Sequence, residues 1–409
     1  MMFKLMGRFP AVVWVIICGT FLSRFTYFMI WPFLAVLLYR QFGMSEGQVG
    51  LILGLGSLSG TTIGLWIGHL SDRIGRSKII LAGCGLGVLA FLAMATAEHV
   101  YSYIFGIMAT GISRAMLEPP GKALISDAIE DIPVRELAFH LRYYLLNLGA
   151  AAGPVVGLTF GLVGQQQTFL LTAVSFVLYM VGLMVVFKRH KPDTPQPARS
   201  ATGGLAATVS LLMQDRAFLL LVLANILVML CYAQIDAPLL QYLSLAGTDY
   251  AVSLVTWLVV ANAATILCLQ FPLLKLMRLW PLDTRINVSL MFFALAFIMF
   301  LLIPPESARL WIVAVVVLSA GEVVLFPTLG LKIDRLAPAH LKGSYFGAAG
   351  LYGYGYALGP VVGGFLLQYF GGQVLWGTMF LLVLLALVLV HRSRNAARPV
   401  FETELTVSQ

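Results

Sequence analysis

Charge is scarce in this chain. Of 409 residues only 11% are Asp, Glu, Lys or Arg, and 60% are hydrophobic. A water-soluble chain of this length carries roughly a quarter charged residues. Too little polar surface remains to cover a soluble core, so a membrane protein is the reading that composition supports. Paired cysteines are missing as well. Cys18, Cys84, Cys231 and Cys268 all sit in apolar runs and none forms a C-x-x-C pair. They read as small buried hydrophobes, not as a disulfide framework or thiolate ligands. The six histidines are scattered, and no metal site or cofactor is expected. There is no H-E-x-x-H and no G-x-S-x-G, and "PPGKA" lacks the first glycine of a P-loop. A membrane enzyme and an ATP-driven pump are therefore unsupported. No stretch is left for a signalling domain, which argues against a sensor. The net charge of +8 comes without basic blocks interleaved with polar residues and without any nucleic-acid-binding motif.

What is present is apolar length. A spanning helix needs about 20 mostly apolar residues. Twelve such stretches are expected at 11–39, 48–70, 79–97, 101–124, 138–161, 168–187, 217–241, 251–273, 285–303, 309–330, 344–369 and 374–390. Turn chemistry separates them: "FGMSEG", "AEHVYS", "GQQQ", "AGTDY", "PPES" and "FGGQ". The opening "MMFKLMGRFPAVVWVIICG" starts like a signal peptide, but its apolar run continues to Tyr39 without an A-x-A site. It reads as a retained first span. The longest polar piece, "KRHKPDTPQPARSATGG" (188–204), is rich in Pro, Ser and Gly and reads as a flexible linker. The expected division is a six-helix bundle over 1–187, a linker over 188–215, a second six-helix bundle over 216–391 and a tail over 392–409.

The basic residues set the orientation. With the N-terminus inside, the even-numbered loops hold Arg73, Arg76, Lys78, Arg135, Lys188, Arg189, Lys191, Arg199, Arg216, Lys275, Arg278, Lys332, Arg335 and Lys342. The opposite loops hold only Arg40 and Arg309. On the positive-inside rule both termini are expected in the cytoplasm, and the excess basic charge is mostly a topology signal.

The two halves of the sequence repeat. "GAAAGPVVG" (149–157) and "GYALGPVVG" (355–363) share five identical consecutive residues. Gly149, Gly153, Pro154 and Gly157 match Gly355, Gly359, Pro360 and Gly363 at a constant offset of 206, about half the chain. Each copy falls in the fifth span of its half. "ALISDAIED" (123–131) loosely echoes "LGLKIDRLA" (329–337), with Asp127 and Asp334 in similar places. Glycines four apart share a helix face and let backbones approach in lipid, and the proline opens the hydrogen-bond ladder. Two parallel six-helix halves are a transporter architecture.

One more stretch stands out against the apolar background. "GHLSDRIGRSK" (68–78), between spans 2 and 3, carries Asp72, Arg73, Arg76 and Lys78. Gly68, Leu70, Asp72, Arg73, Gly75 and Arg76 fit G-x-L-x-D-R-x-G-R-x-x. This resembles the loop signature of the major facilitator superfamily, and the Gly149–Gly157 segment is similar to the span-5 signature of its antiporter branch. The chain thus looks like a 12-spanner of the drug:proton antiporter kind. The resemblance implies that Asp72 faces the N-terminus of span 11. It also implies that Arg76 pairs with an acid ending span 4, for which Asp127 is the candidate, so that the group closes the cytoplasmic side. A plain topogenic basic loop is the alternative. The corresponding loop of the second half, "LKLMRLWPLDTR", lacks the motif.

Ionisable residues within spans face a cavity or a partner. Setting loop and edge residues aside leaves Arg24 in span 1, Arg114 and Glu118 in span 4, Asp236 in span 7 and Glu322 in span 10. In the resembled fold spans 1, 4, 7 and 10 line the central cavity. Arg114 and Glu118, four apart, can pair, and Arg24 could join them as a charge-balanced structural cluster. The second half has no Lys or Arg deep in a span, so Asp236 and Glu322 lack a cation there and could exchange a proton. The order of candidates for proton coupling is Glu322, Asp236, Glu118. Tyr27 and Trp31 follow Arg24 on or near its face, and Tyr143, Tyr144 and Asn147 lie on span 5. "EPPGK" (118–122) and "FPT" (326–328) are expected to break or kink spans 4 and 10.

The expected function is a secondary transporter that exports amphipathic organic molecules, drugs or a metabolite such as a siderophore, in exchange for protons. Uptake by proton symport is the alternative. The partners expected are a small-molecule substrate, protons and lipid, with no nucleic acid and a monomeric chain. The expected location is a bacterial inner membrane.

Overall fold

Residues 2–159, 166, 168–189, 204–235, 237–245 and 251–399 are described by a computed structural model. Asp236, half of the linker (190–203) and the end of the tail (400–409) lie outside the described residues. Among the described residues there is no strand; the regular structure is helical. The long helices are α1 (Ala11–Phe42), α2 (Glu46–Ile74), α3 (Arg76–Ala95), α4 (Val100–Ala128), α5 (Ile132–Thr159) and α6 (Thr168–Arg189). After a short helix at Leu205–Gln214 come α7 (Arg216–Tyr232), a 3-10 turn (Ala233–Ile235) and a short helix (Ala237–Leu245), then α8 (Ala251–Met277), α9 (Leu282–Leu302) and α10 (Ala308–Leu336). The chain ends in a short α11 (Lys342–Ala349) and a long α12 (Tyr352–Ser393).

Local chemistry explains the boundaries. Ser45 caps α2: its hydroxyl accepts the Gln48 N–H at 3.4 Å, and the Gln48 side chain accepts the Ser45 N–H at 3.0 Å. Gly75 turns the chain between α2 and α3 at φ 103, a conformation that a side chain disfavours. Helix α4 is continuous through Pro119 and Pro120, and α10 through Pro327, so the prolines do not break either span. All three are buried among protein neighbours, the setting in which membrane helices tolerate proline.

Nine stretches among the described residues are long and apolar enough to cross a membrane. Helices α4 and α5 are long enough but fall short in apolarity, diluted by Arg114, Glu118 and Lys122 in one and Arg142 and Asn147 in the other. The stretch Ala339–Ser393 counts once, although Gly371 interrupts α12 with a non-helical φ of 82. Large apolar side chains such as Leu51, Trp66, Phe105, Leu158, Trp257, Val361 and Leu381 point outward. Helices that are apolar on their outer face as well as their inner one belong in lipid.

The chain forms two compact units, residues 1–201 with 339–350 and residues 202–338 with 351–409. In the first, α1 packs on α5 and α6, α3 on α4 and α6, and α2 on α4 and α11. Its core holds Met29, Leu38, Phe91, Met94, Tyr103 and Phe169. In the second, α12 packs on α7 and α9, α9 on α10, and α10 on α8. Its densest region is aromatic: Phe300 lies 5.2 Å from both Trp311 and Trp376, ring centre to ring centre, and the two tryptophans lie 6.2 Å apart. Lipid is as apolar as leucine, so close packing and dispersion hold such a bundle together more than burial from water does.

The glycine repeat has a packing counterpart in each unit. A Cβ on Gly153 would fall 2.5 Å from the Phe25 carbonyl oxygen, and one on Gly149 3.1 Å from the Phe25 nitrogen. Gly157 meets Met29 in the same way, so this face of α5 rides on the backbone of α1. In the second unit a Cβ on Gly355 would overlap the Ile226 carbonyl, and one on Gly359 would come 3.2 Å from the Leu230 carbonyl. That face of α12 rides on α7 just as α5 rides on α1.

Candidate functional site

Asp72 stands in the last turn of α2, and its carboxylate meets the first turn of α11. The Gly343 N–H donates to one carboxylate oxygen at 2.9 Å. The Ser344 N–H and the Ser344 hydroxyl both donate to the other at 2.7 Å. The first N–H groups of a helix have no partner within it, and the dipole there favours an anion. Asp72 therefore caps α11 from a distant part of the chain. The approach depends on small residues: a Cβ on Gly343 would fall 2.7 Å from the Gly68 carbonyl oxygen.

Arg76, at the start of α3, extends the contact. Its buried guanidinium lies 3.6 Å from Asp72, forms an ion pair with Asp127 at the end of α4, and donates to the carbonyls of Ala123 at 2.9 Å and Ala339 at 3.2 Å. Lys342 comes within 3.8 Å of Asp127 and donates to the Ser126 hydroxyl. Arg73 is exposed and makes no ion pair among the described residues. Alternating charges thus tie together the ends of α2, α3, α4 and α11, all within the first unit.

Deeper in that unit lies a second group. The Arg114 Nε donates to Glu118 at 3.0 Å; the Arg114 side chain is 51% exposed and that of Glu118 19%. The Glu118 carboxyl also feels the charges of Arg142, Lys122 and Arg24. Arg24 lies over the Phe28 ring, 4.8 Å from its centre. Tyr27 stacks on Trp31 at 4.9 Å, and together with Leu34, Phe91, Ile107 and Phe169 they line a small apolar cavity.

In the second unit Glu322 on α10 is 2% exposed. The Tyr232 hydroxyl donates to one of its oxygens at 3.0 Å, and the Asn262 amide donates to the other at 2.7 Å. Asn262 also donates to the Ser319 hydroxyl at 2.8 Å. Three helices, α7, α8 and α10, thus converge on one buried carboxyl. Asp236 lies outside the described residues. Among the described residues no group of His, Cys, Asp or Glu could hold a metal ion.

A family model for the Major Facilitator Superfamily matches residues 16–354. The chain belongs to this superfamily. It is a multi-pass membrane protein, and members of the superfamily are transporters, not enzymes. The MFS-type transporter YqjV of Bacillus subtilis is 31% identical over 88% of this chain and 87% of its own length. A Na(+), Li(+), K(+)/H(+) antiporter of Planococcus maritimus is 25% identical, covering 84% and 86%. The multidrug resistance protein MdtH of Aeromonas hydrophila is 28% identical, covering 88% and 87%.

Several residues at these sites carry no mark in the sequence. Lys122 and Arg142 were set aside as span-edge residues, although Lys122 sits one helical turn beyond Glu118. Tyr232, Asn262 and Ser319 are uncharged and come from three different spans, so no local spacing marks them. Ser344 and Lys342 acquire a role only because α11 returns to α2. The second unit also has an ionic tie without a motif. Asp215 caps α7 by accepting the Phe218 N–H at 3.0 Å and pairs with Arg398 at 3.1 Å. Asp283 likewise pairs with Lys332 at 2.9 Å and lies 3.8 Å from Arg394.

Proposed function

We propose that this chain is a proton-coupled antiporter that exports amphipathic small organic molecules by alternating access. The observation that carries the reading is the setting of Glu322. This carboxyl, 2% exposed, accepts from a tyrosine hydroxyl and an asparagine amide, both neutral donors. Such donors satisfy the charged form, and a rotated hydroxyl or amide can accept from the protonated form. The site can therefore house both protonation states, which a proton carrier requires. Asp236 and Glu118 are the further carriers, and Arg24, Tyr27, Trp31 and Arg114 contribute to substrate binding. The antiporter-like glycine segment of span 5 and the names of the Planococcus and Aeromonas relatives favour exchange and export.

In this reading the bundles 1–187 and 216–391 are joined by the linker 188–215 and followed by the tail 392–409. Both termini face the cytoplasm across a bacterial inner membrane, and the chain works as a monomer. The Asp72–Arg76–Asp127 group is a latch on the cytoplasmic side that releases α11 once per cycle. Purified protein in liposomes, given an imposed pH difference and a fluorescent amphiphile, tests the proposal. Accumulation against the amphiphile's gradient is expected when protons flow the opposite way, and Glu322→Gln should abolish it while downhill exchange persists. Accumulation that follows the direction of proton flow would mean symport and overturn the export reading.

A further inference from the structure

We propose that the first unit binds the anionic group of an organic substrate, a carboxylate, sulfonate or phosphate, among Arg24, Arg114, Lys122 and Arg142. This rests on the transporter reading and assigns it a substrate class. Residues 114, 118 and 122 are spaced by four and share one face of α4. Arg24 approaches from α1 and Arg142 from α5: the Arg24 Cβ lies against Gly149, two turns along α5 from Arg142. Lys122 feels the charges of Arg142, Glu118 and Arg114. Four cations therefore surround one carboxylate, and that carboxylate is already engaged by Arg114 at 3.0 Å.

Arg142 is the informative member. It is only 6% exposed, yet its buried Nε has no hydrogen-bond partner among the described residues. Neither Arg142 nor Lys122 forms an ion pair there with any carboxylate. Three other acids of this unit are committed elsewhere: Asp72 and Asp127 to Arg76, and Asp131 to Arg8 at 2.7 Å. A buried cation without a counter-charge is strongly disfavoured, so a cluster that served only to hold helices together would be expected to balance. Here Lys122 and Arg142 share with Arg114 the one carboxylate of Glu118, which Arg114 already engages. Guanidinium groups match the two oxygens of a carboxylate or phosphate, and the nearby Tyr27 and Trp31 offer an apolar wall to the rest of an amphiphile. An organic cation would meet repulsion at the same place.

The test uses the full chain in lipid nanodiscs and two xanthene dyes of similar shape, carboxyfluorescein (anionic) and rhodamine 123 (cationic). Binding is read by fluorescence anisotropy at low salt. Saturable binding of carboxyfluorescein is expected, tighter than that of rhodamine 123. Lys122→Gln and Arg142→Gln should each weaken it about tenfold. Glu118→Gln removes the competing carboxylate and should tighten it at least threefold, a gain that misfolding does not produce. Tighter binding of rhodamine 123, no saturable carboxyfluorescein binding, or weaker anion binding in Glu118→Gln would each overturn the inference. Counterflow in liposomes separates the two readings. A wild type that carries rhodamine 123 but not carboxyfluorescein overturns the anion site alone. One that binds carboxyfluorescein saturably yet exchanges neither dye leaves the anion site standing and overturns the proposed export of amphiphiles.

Discussion

Substituting Asp72→Asn tests the latch with the least change in shape. Asp72 accepts three hydrogen bonds at 2.7–2.9 Å, two from backbone N–H groups at the start of α11 and one from the Ser344 hydroxyl. A bond to a charged group contributes about 1.5–3 kcal/mol, a neutral one about 0.5–1.5. Asparagine keeps a single acceptor oxygen. Two bonds drop to neutral strength, and one N–H is left facing an amide NH2. The sum is about 4 kcal/mol, offset by about 1 kcal/mol of relieved carboxylate burial. A net loss of about 3 kcal/mol corresponds to roughly a hundredfold rise in local opening. Hydrogen–deuterium exchange of the protein in nanodiscs reads this directly: the Gly343 and Ser344 amides should exchange about a hundredfold faster. Amides in α4 should keep their protection, because Arg76 remains paired with Asp127. Transport should fall while membrane insertion is unaffected. Unchanged protection at 343–344, or an equal loss throughout the first unit, would refute the capping argument. Normal transport by a well-expressed variant would refute the latch.

Other expectations follow from the same geometry. Gly153→Leu would drive a side chain into the Phe25 carbonyl and should lower the unfolding temperature sharply, by the equivalent of about 3 kcal/mol or more; Gly377→Ala, with nothing within 4 Å of the added carbon, should change it little, and equal effects would refute the close-packing account. Arg398→Ala leaves the fully buried Asp215 without its cation and should destabilise the second unit by about 3 kcal/mol. Asp215→Asn in the Arg398→Ala background should recover much of that loss in a thermal melt, and a failure to recover would mean that the pair acts through something other than charge. Tyr232→Phe and Asn262→Leu each remove one donor from Glu322 and should shift the pH midpoint of proton-driven transport, whereas Ser57→Ala, in the first unit, should not.

The helical class, the apolar spans and the glycine repeat were legible because they are periodic and local. A face of glycines spaced by four on α5 and again on α12 can be read from residue intervals alone, and both faces pack as close approaches do. The surroundings of Asp72 were legible only through resemblance to a family, since nothing in residues 68–78 says that residue 343 will lie beside them. The partners of Glu322 were not legible at all. Tyrosine, asparagine and serine in apolar runs carry no signal until folding brings α7, α8 and α10 together. Arg142 was hidden for another reason. It lies near the expected start of a span, where a positive charge is ordinary, and only its burial in the structure separates it from a topology signal.

The two halves share a scaffold but not a charge pattern. Gly153 and Gly359 sit at equivalent positions and bring equivalent helices together, so the packing rule is the same in both units. The charged residues break that equivalence. The first unit gathers Arg24, Arg114, Lys122 and Arg142 around Glu118; in the second a phenol and an amide donate to Glu322. A glycine face tolerates no change of size, so both units must keep it in order to fold. Interior charge obeys a different constraint, because each uncompensated group costs several kcal/mol and gains nothing in packing. Charge retained without a mirror image in the other half is better explained by ligand chemistry than by assembly. In the proposed reading the asymmetry divides the labour: the cation-rich unit contacts the substrate, and Glu322 of the second unit leads in carrying the proton.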